Sequence, residues 1–64
     1  MRENFYVGDK VRLTKNMKRV ARHPEQYESG VVTRIGSWGI VDVQWNGIDH
    51  PIEVRFDEIE LDTN

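Results

Sequence analysis

The chain contains no cysteine, which removes disulfide staples and thiolate chemistry from consideration. Its two histidines, His23 and His50, stand too far apart to form a recognisable metal-ligand spacing, so no cofactor and no metal is expected. There is no glycine-rich phosphate loop, and no serine or cysteine is spaced with a histidine and an acid as a nucleophile would be; no enzymatic activity is expected. No segment approaches the length of a membrane span, and Met1 to Tyr6 lack the apolar run of a signal peptide, so a soluble cytoplasmic protein is the expectation. No repeat, low-complexity tract or linker interrupts the 64 residues. One domain spanning residues 1–64, with its core in 7–62, follows. A domain of this size buries only roughly 60% of the surface its unfolded chain exposes. With neither disulfide nor metal as a staple, packing or oligomerisation must supply the stability.

What the chain does have is short apolar and polar alternation punctuated by glycine. Val41, Val43 and Trp45 alternate with Asp42, Gln44 and Asn46, as a half-buried antiparallel strand requires. The β-branched run Val31-Val32-Thr33-Arg34-Ile35, bounded by Gly30 and Gly36, precedes it, so the two form a hairpin with Ser37-Trp38 at its tip. A first strand is expected over Lys10-Val11-Arg12-Leu13-Thr14, entered by a Gly8-Asp9 turn, with Val11 and Leu13 inward. A fourth strand begins at Pro51 and ends at Phe56, with Ile52, Val54 and Phe56 on its inner face and Glu53 and Arg55 outward. An Asp57-Glu58 turn then leads to a short fifth strand, Ile59-Glu60-Leu61. Residues 15–29 show no period of two. Met17, Val20 and Ala21 make one face of a helical turn within residues 16–22, which Pro24 closes. The fold class predicted is all-β, with a long, partly helical first loop.

Charge is unevenly spread along the chain. Lys10, Arg12, Lys15, Lys18, Arg19 and Arg22 fall in a stretch without an acid, whereas Asp49, Glu53, Asp57, Glu58, Glu60 and Asp62 follow with Arg55 alone between them. The formal net charge of −2 lacks the positive excess of a non-specific nucleic-acid binder. If the first and fifth strands pair, Lys10 and Arg12 face Glu58, Glu60 and Asp62, each opposite-charge pair adding about 0.2–1 kcal/mol. Lys15, Lys18, Arg19 and Arg22 would stay free.

Particular residues carry a family resemblance. Val7-Gly8-Asp9-Lys10-Val11-Arg12-Leu13, then Gly30-Val31-Val32 with Ile35, then Gly39-Ile40-Val41 with Val43 and Trp45, resemble the KOW and Tudor-like branch of SH3-like barrels. Phe56-Asp57-Glu58-Ile59-Glu60-Leu61 is similar to the closing turn and strand of that superfamily, which includes the photosystem I accessory subunit and the ferredoxin–thioredoxin reductase variable chain. The resemblance implies a five-stranded SH3-like barrel in which strands one and five are neighbours. Such barrels serve RNA binding, methyl-residue reading, peptide docking and subunit assembly alike. Residues 15–29 are longer than the first loop usual in KOW sequences, which tells against a ribosomal type of RNA role.

Trp45, in the inward phase of its strand, reads as core. Trp38 sits at a hairpin tip, where it either makes a contact outside the chain or folds back over the open end of the barrel. Phe5, Tyr6, Tyr27, Trp38 and Phe56 have the residue type of an aromatic cage for a cation, but their spacing does not show one: Phe56 is in core phase, and Phe5 and Tyr6 cover the barrel bottom. The expected function is a non-enzymatic binding module, a protein–protein adaptor or inhibitor. Its site is placed where the first loop meets the hairpin tip, at Lys18, Arg19, Arg22, Tyr27, Arg34 and Trp38, a composition enriched at interface hot spots and suited to an acidic protein surface. The competing reading is nucleic-acid binding, RNA or DNA, through the free bases of the first loop; an oligomeric enzyme stands third. No membrane partner is expected.

Overall fold

The computed structural model describes residues 5–62; residues 1–4, part of the stretch read for a signal peptide, and residues 63–64 lie outside it. Five strands form one antiparallel sheet: β1 (Lys10–Leu13), β2 (Gly30–Ile35), β3 (Ile40–Trp45), β4 (Ile52–Arg55) and β5 (Ile59–Leu61). Their order is β4-β3-β2-β1-β5. The two edge strands are consecutive in the chain, joined by the 3₁₀ turn Phe56–Glu58, so the sheet must coil to bring its edges toward each other. The all-β class is as expected, and the sheet is compatible with a small β-barrel-like fold. A single helix, α1 (Lys15–Val20), and the 3₁₀ turn Pro24–Tyr27 occupy the connection between β1 and β2.

The alternation read in the sequence sets the core. Val11, Leu13, Val32, Val41, Val43, Trp45 and Ile59 are buried together, and Trp45 is 1% exposed. Gly30, which pairs with Trp45, marks more than a strand boundary: a Cβ there would lie 2.5 Å from Val43 Cγ1 and 2.8 Å from Trp45 Cε3. The indole ring fills the space that a side chain at position 30 would take.

One departure in β2 decides which residues reach the outer face. The register advances from Val32 opposite Val43 to Arg34 opposite Asp42, so Thr33 is the extra residue of a β-bulge. Strict alternation from Val32 would point Arg34 inward. The bulge instead turns it outward, where its Nε lies 3.0 Å from Asp42 Oδ2, and sets Ile35 opposite the buried Val41.

Four further expectations need correction. Val20 is 72% exposed: it is the last residue of α1, and Ala21, which packs on the core beside Met17, is already in the extended backbone of the C-cap (φ −71°, ψ 141°), so the three do not form one helical face. Phe56 belongs to the 3₁₀ turn rather than to β4 and is exposed. Tyr6 is exposed as well, while Phe5 is partly buried against the core. Arg12 does meet Glu60 (Nε to Oε2, 2.8 Å) and Asp62 (Nη1 to Oδ1, 3.6 Å) across the β1–β5 pairing. Glu58, however, accepts the Arg55 backbone N–H at 2.8 Å, and among the described residues Lys10 forms no ion pair.

Candidate functional site

The two ends of the sheet close differently, and each forms a groove. At the loop end the β1–β2 connection folds over the core. Thr14, expected as the last residue of the first strand, is the N-cap of α1: its hydroxyl oxygen accepts the Met17 N–H at 3.3 Å. This starts the helix where Met17 and Ala21 turn inward, which leaves Lys15, Lys18 and Arg19 on the opposite arc. The 3₁₀ turn Pro24–Tyr27 then sets Tyr27 edge-to-face on Trp45, ring centroids 5.3 Å apart and planes at 84°. Such a pair is worth about 0.5–1.5 kcal/mol beyond the area it buries. Between this cover and β4 runs a groove of about 300 Å³, walled by Leu13, Met17, Ala21, Tyr27, Ile52 and Val54, with Arg22, His23 and Glu58 at its polar margin. The Trp45 indole N–H beneath Tyr27 is buried, with no hydrogen-bond partner among the described residues.

The β3–β4 connection lies at the same end. Ile48 packs against the core, and its carbonyl accepts a short hydrogen bond from the Gln44 side-chain amide. Asp49 Oδ1 lies 2.8 Å from His50 Nδ1. Hydrogen bonding from His50, followed by its charge, holds the Asp49 carboxyl below the usual carboxylate range.

Cations divide by element. The three strand arginines are each matched: Arg12 with Glu60, Arg34 with Asp42, and Arg55 with Asp57 at 3.3 Å. The Arg34 guanidinium is raised above its ordinary value, first by its hydrogen bond to Asp42 and then by the Asp42 charge. Lys15, Lys18, Arg19 and Arg22 of the connection are exposed, and among the described residues none of them is in an ion pair.

At the tip end the hairpin turns through Ser37–Trp38–Gly39–Ile40. The Ile40 N–H donates to the Ser37 carbonyl at 3.2 Å and the Gly36 N–H to the Ile40 carbonyl at 2.8 Å. Both central residues have positive φ, 61° at Trp38 and 77° at Gly39, the pattern of a type I′ turn, which Asn-Gly fills best. A tryptophan there is a departure that costs roughly 1–2 kcal/mol. Gly39 is required twice over, by its φ and because a Cβ would lie 2.7 Å from the Phe56 ring. The Phe56 N–H donates to the Gly39 carbonyl at 2.8 Å. A second groove, of about 260 Å³, is lined by Phe5, Ile35, Gly36, Gly39, Ile40, Val41 and Phe56. Trp38 stands beside it and is 98% exposed, so it does not fold back over the end of the sheet.

The six residues expected to share one site are therefore divided. Lys18, Arg19, Arg22 and Tyr27 belong to the connection before β2, whereas Trp38 follows β2, and the length of that strand, roughly 20 Å, lies between Tyr27 and Trp38. The two grooves share no lining residue. Tyr27 is largely a cover for Trp45, and Arg34 is occupied by Asp42. Sequence reasoning missed Met17, Ile52 and Val54 as groove walls, because inward periodicity gives no sign of which core residues stay half-covered. Ile35 and Phe56 at the tip had a readable signal: an arginine in inward phase at 34 marks a bulge, and Asp57-Glu58 marks the end of a strand.

The chain matches no protein-family model, no curated protein and no solved structure. Among the described residues no helix is long and apolar enough to cross a membrane.

Proposed function

We propose that this protein is a non-enzymatic, intracellular binding module, an SH3-like barrel of the KOW/Tudor-like kind, that docks an acidic protein surface at its loop end. The observation that supports this most is the sorting of cations. Strand arginines are neutralised by neighbours, while among the described residues Lys15, Lys18, Arg19 and Arg22 have no ion-pair partner, on the connection that walls an apolar groove. Unpaired exposed charge contributes little to folding and a good deal to the encounter with an oppositely charged partner. The groove beside it supplies what charge alone lacks, apolar surface to hold an anchoring side chain. Single-stranded nucleic acid also needs aromatic faces for its bases to stack on; here Tyr27 is turned edge-to-face onto Trp45 and Trp38 is at the other end of β2. That favours a protein partner over RNA or DNA.

An NMR titration tests the reading. The isotopically labelled chain receives, in separate runs, a glutamate-rich peptide containing one phenylalanine and a single-stranded oligonucleotide. The peptide is expected to shift the resonances of Lys18, Arg19, Arg22 and Tyr27, and Arg19→Glu to weaken it by about tenfold, mainly through association rate. Binding of the oligonucleotide alone, with affinity falling steeply in salt, or peptide shifts confined to the outer faces of β3 and β4, would overturn it.

A further inference from the structure

Trp38 and the groove next to it are a knob and a hole on one face of one molecule, and we infer that this face is the interface of a two-fold dimer in which each Trp38 seats in the other copy's groove. The inference goes beyond the loop-end reading and uses none of its residues.

Trp38 does nothing for the fold that contains it. The side chain is 98% exposed, and it is held at a φ of 61°, where glycine or asparagine would fit at lower cost. A bulky ring kept in a strained position and almost wholly in solvent points to a role outside the chain. The hole is within reach: Gly36 and Gly39, which flank the tip, form its wall, and Phe5, Ile35, Ile40 and Phe56 complete an apolar lining around about 260 Å³.

Adjacency of knob and hole selects the occupant. In a two-fold contact the same patch meets itself, so that residue i touches j and j touches i; a projecting ring beside an apolar groove meets that condition when the axis passes between them. Charge agrees. Arg34 is matched by Asp42 at 3.0 Å and Arg55 by Asp57 at 3.3 Å, so the margin of this face neither repels its own copy nor draws a partner of one sign. A standard interface takes about 800 Å² from each partner, about one sixth of the 4897 Å² surface here. Trp38 alone brings roughly 150–250 Å², and Ile35 and Phe56, both groove-lining and exposed, add to the apolar face. A second copy would also supply the staple that a chain without disulfides lacks.

Sedimentation equilibrium of the full chain from micromolar to millimolar concentration, with tryptophan emission read on the same samples, tests this. The wild type is expected to form dimers, and its emission to move to the blue with concentration, because Trp45 is already buried and only Trp38 changes surroundings. Trp38→Asn removes the knob and suits the turn; it should weaken association by about thirtyfold or more, as loss of a hot spot does. Ile35→Lys closes the hole with Trp38 still present, at a side chain already 45% exposed, and should weaken association similarly while circular dichroism stays unchanged. A wild type that remains monomeric at millimolar concentration, or a dimer that survives either substitution, overturns the inference; the first result would assign the face to a different protein. The acidic-peptide titration with Arg19→Glu reads the other end, so failure of one reading is distinguishable from failure of the other.

Discussion

At the loop end of the sheet an aromatic core residue is covered from above, and at the tip end aromatic and aliphatic side chains are left open. Trp45 lies under Tyr27 with Met17 and Ala21 packed against the same core; Ile35 and Phe56 are exposed and Trp38 is 98% exposed. The physical cause is the length of the connections. Residues 14–29 are enough for a capped helix and a 3₁₀ turn, each able to lower an apolar side chain onto the sheet. The tip turn has only its two central residues, both committed to positive φ, and nothing to spare for a cover. In a domain this small, then, connections finish the core where they are long, and where they are short apolar side chains of the sheet stay exposed.

The largest expected effect tests the covered end directly. Trp45→Ala should cost about 3–5 kcal/mol, enough to unfold a marginal domain. Trp45→Phe should cost far less, because it also removes the indole N–H that is buried without a partner, a liability of about 1–3 kcal/mol. Denaturant melts of the two variants check this. If phenylalanine proves as damaging as alanine, shape rather than burial holds that site.

Next in size is a matched pair of aromatic truncations, one from each end. Tyr27→Ala removes the edge-to-face cover of Trp45 and should lower stability by about 1–3 kcal/mol. Phe56→Ala, at a ring beside Gly39 on the groove wall that is 45% exposed, should cost less than half as much. Equal losses in thermal melts would break the contrast between a covered and an open end.

A smaller effect, of opposite sign, is expected at Trp38. Trp38→Asn converts the turn to Asn-Gly, the preferred pair for a type I′ hairpin, and relieves part of the roughly 1–2 kcal/mol that a left-handed bulky residue costs. Measured at low micromolar concentration, where association contributes little, the variant should melt slightly above wild type. Removing the most exposed aromatic side chain would then raise stability. A lower melting temperature would mean that Trp38 has a hidden role within the fold.

Much of this architecture could be read in the sequence, for a simple reason. The inward phases of β1 and β3, Val11, Leu13, Val41, Val43 and Trp45, carry period-two alternation without interruption, and burial follows phase. The reading failed where one residue changed the phase. In β2 the alternation alone does not give the facing after Val32, because Thr33 is the extra residue of a bulge that pairs Arg34 with Asp42 and Ile35 with Val41. The helix α1 ends at Val20, and the inward Ala21 already belongs to the extended C-cap, so Met17, Val20 and Ala21 could not act as one helical face. Phe56 continued the alternation of Ile52 and Val54 after the chain had already left the strand. The candidate site was less legible than the fold, because it depended on which ends meet. Composition can identify Lys18, Arg19, Arg22 and Trp38 as exposed contact types; that a strand's length separates Tyr27 from Trp38 is already implied by reading residues 30–36 as a strand, and the expectation of one shared site does not follow it through.

The smallest expected effect concerns the second connection at the loop end, and it asks whether charge as well as apolar contact fastens that end. Asp49 is paired with His50 at 2.8 Å, and its carboxyl is held below the ordinary range by that hydrogen bond and then by the charge of the ring. A carboxylate with a lower pKa in the folded chain than in the unfolded one adds stability that is fully present above the unfolded value, near pH 4. The contribution is lost as pH falls through the lower folded value. Asp49→Asn should therefore lie slightly below wild type at about pH 5 and converge with it on acidification, and salt should narrow the gap because the pair is exposed to solvent. Urea melts of both chains across that range measure the difference. Coincident curves at every pH would show that Ile48 and the Gln44 hydrogen bond to its carbonyl fasten the connection without help from Asp49.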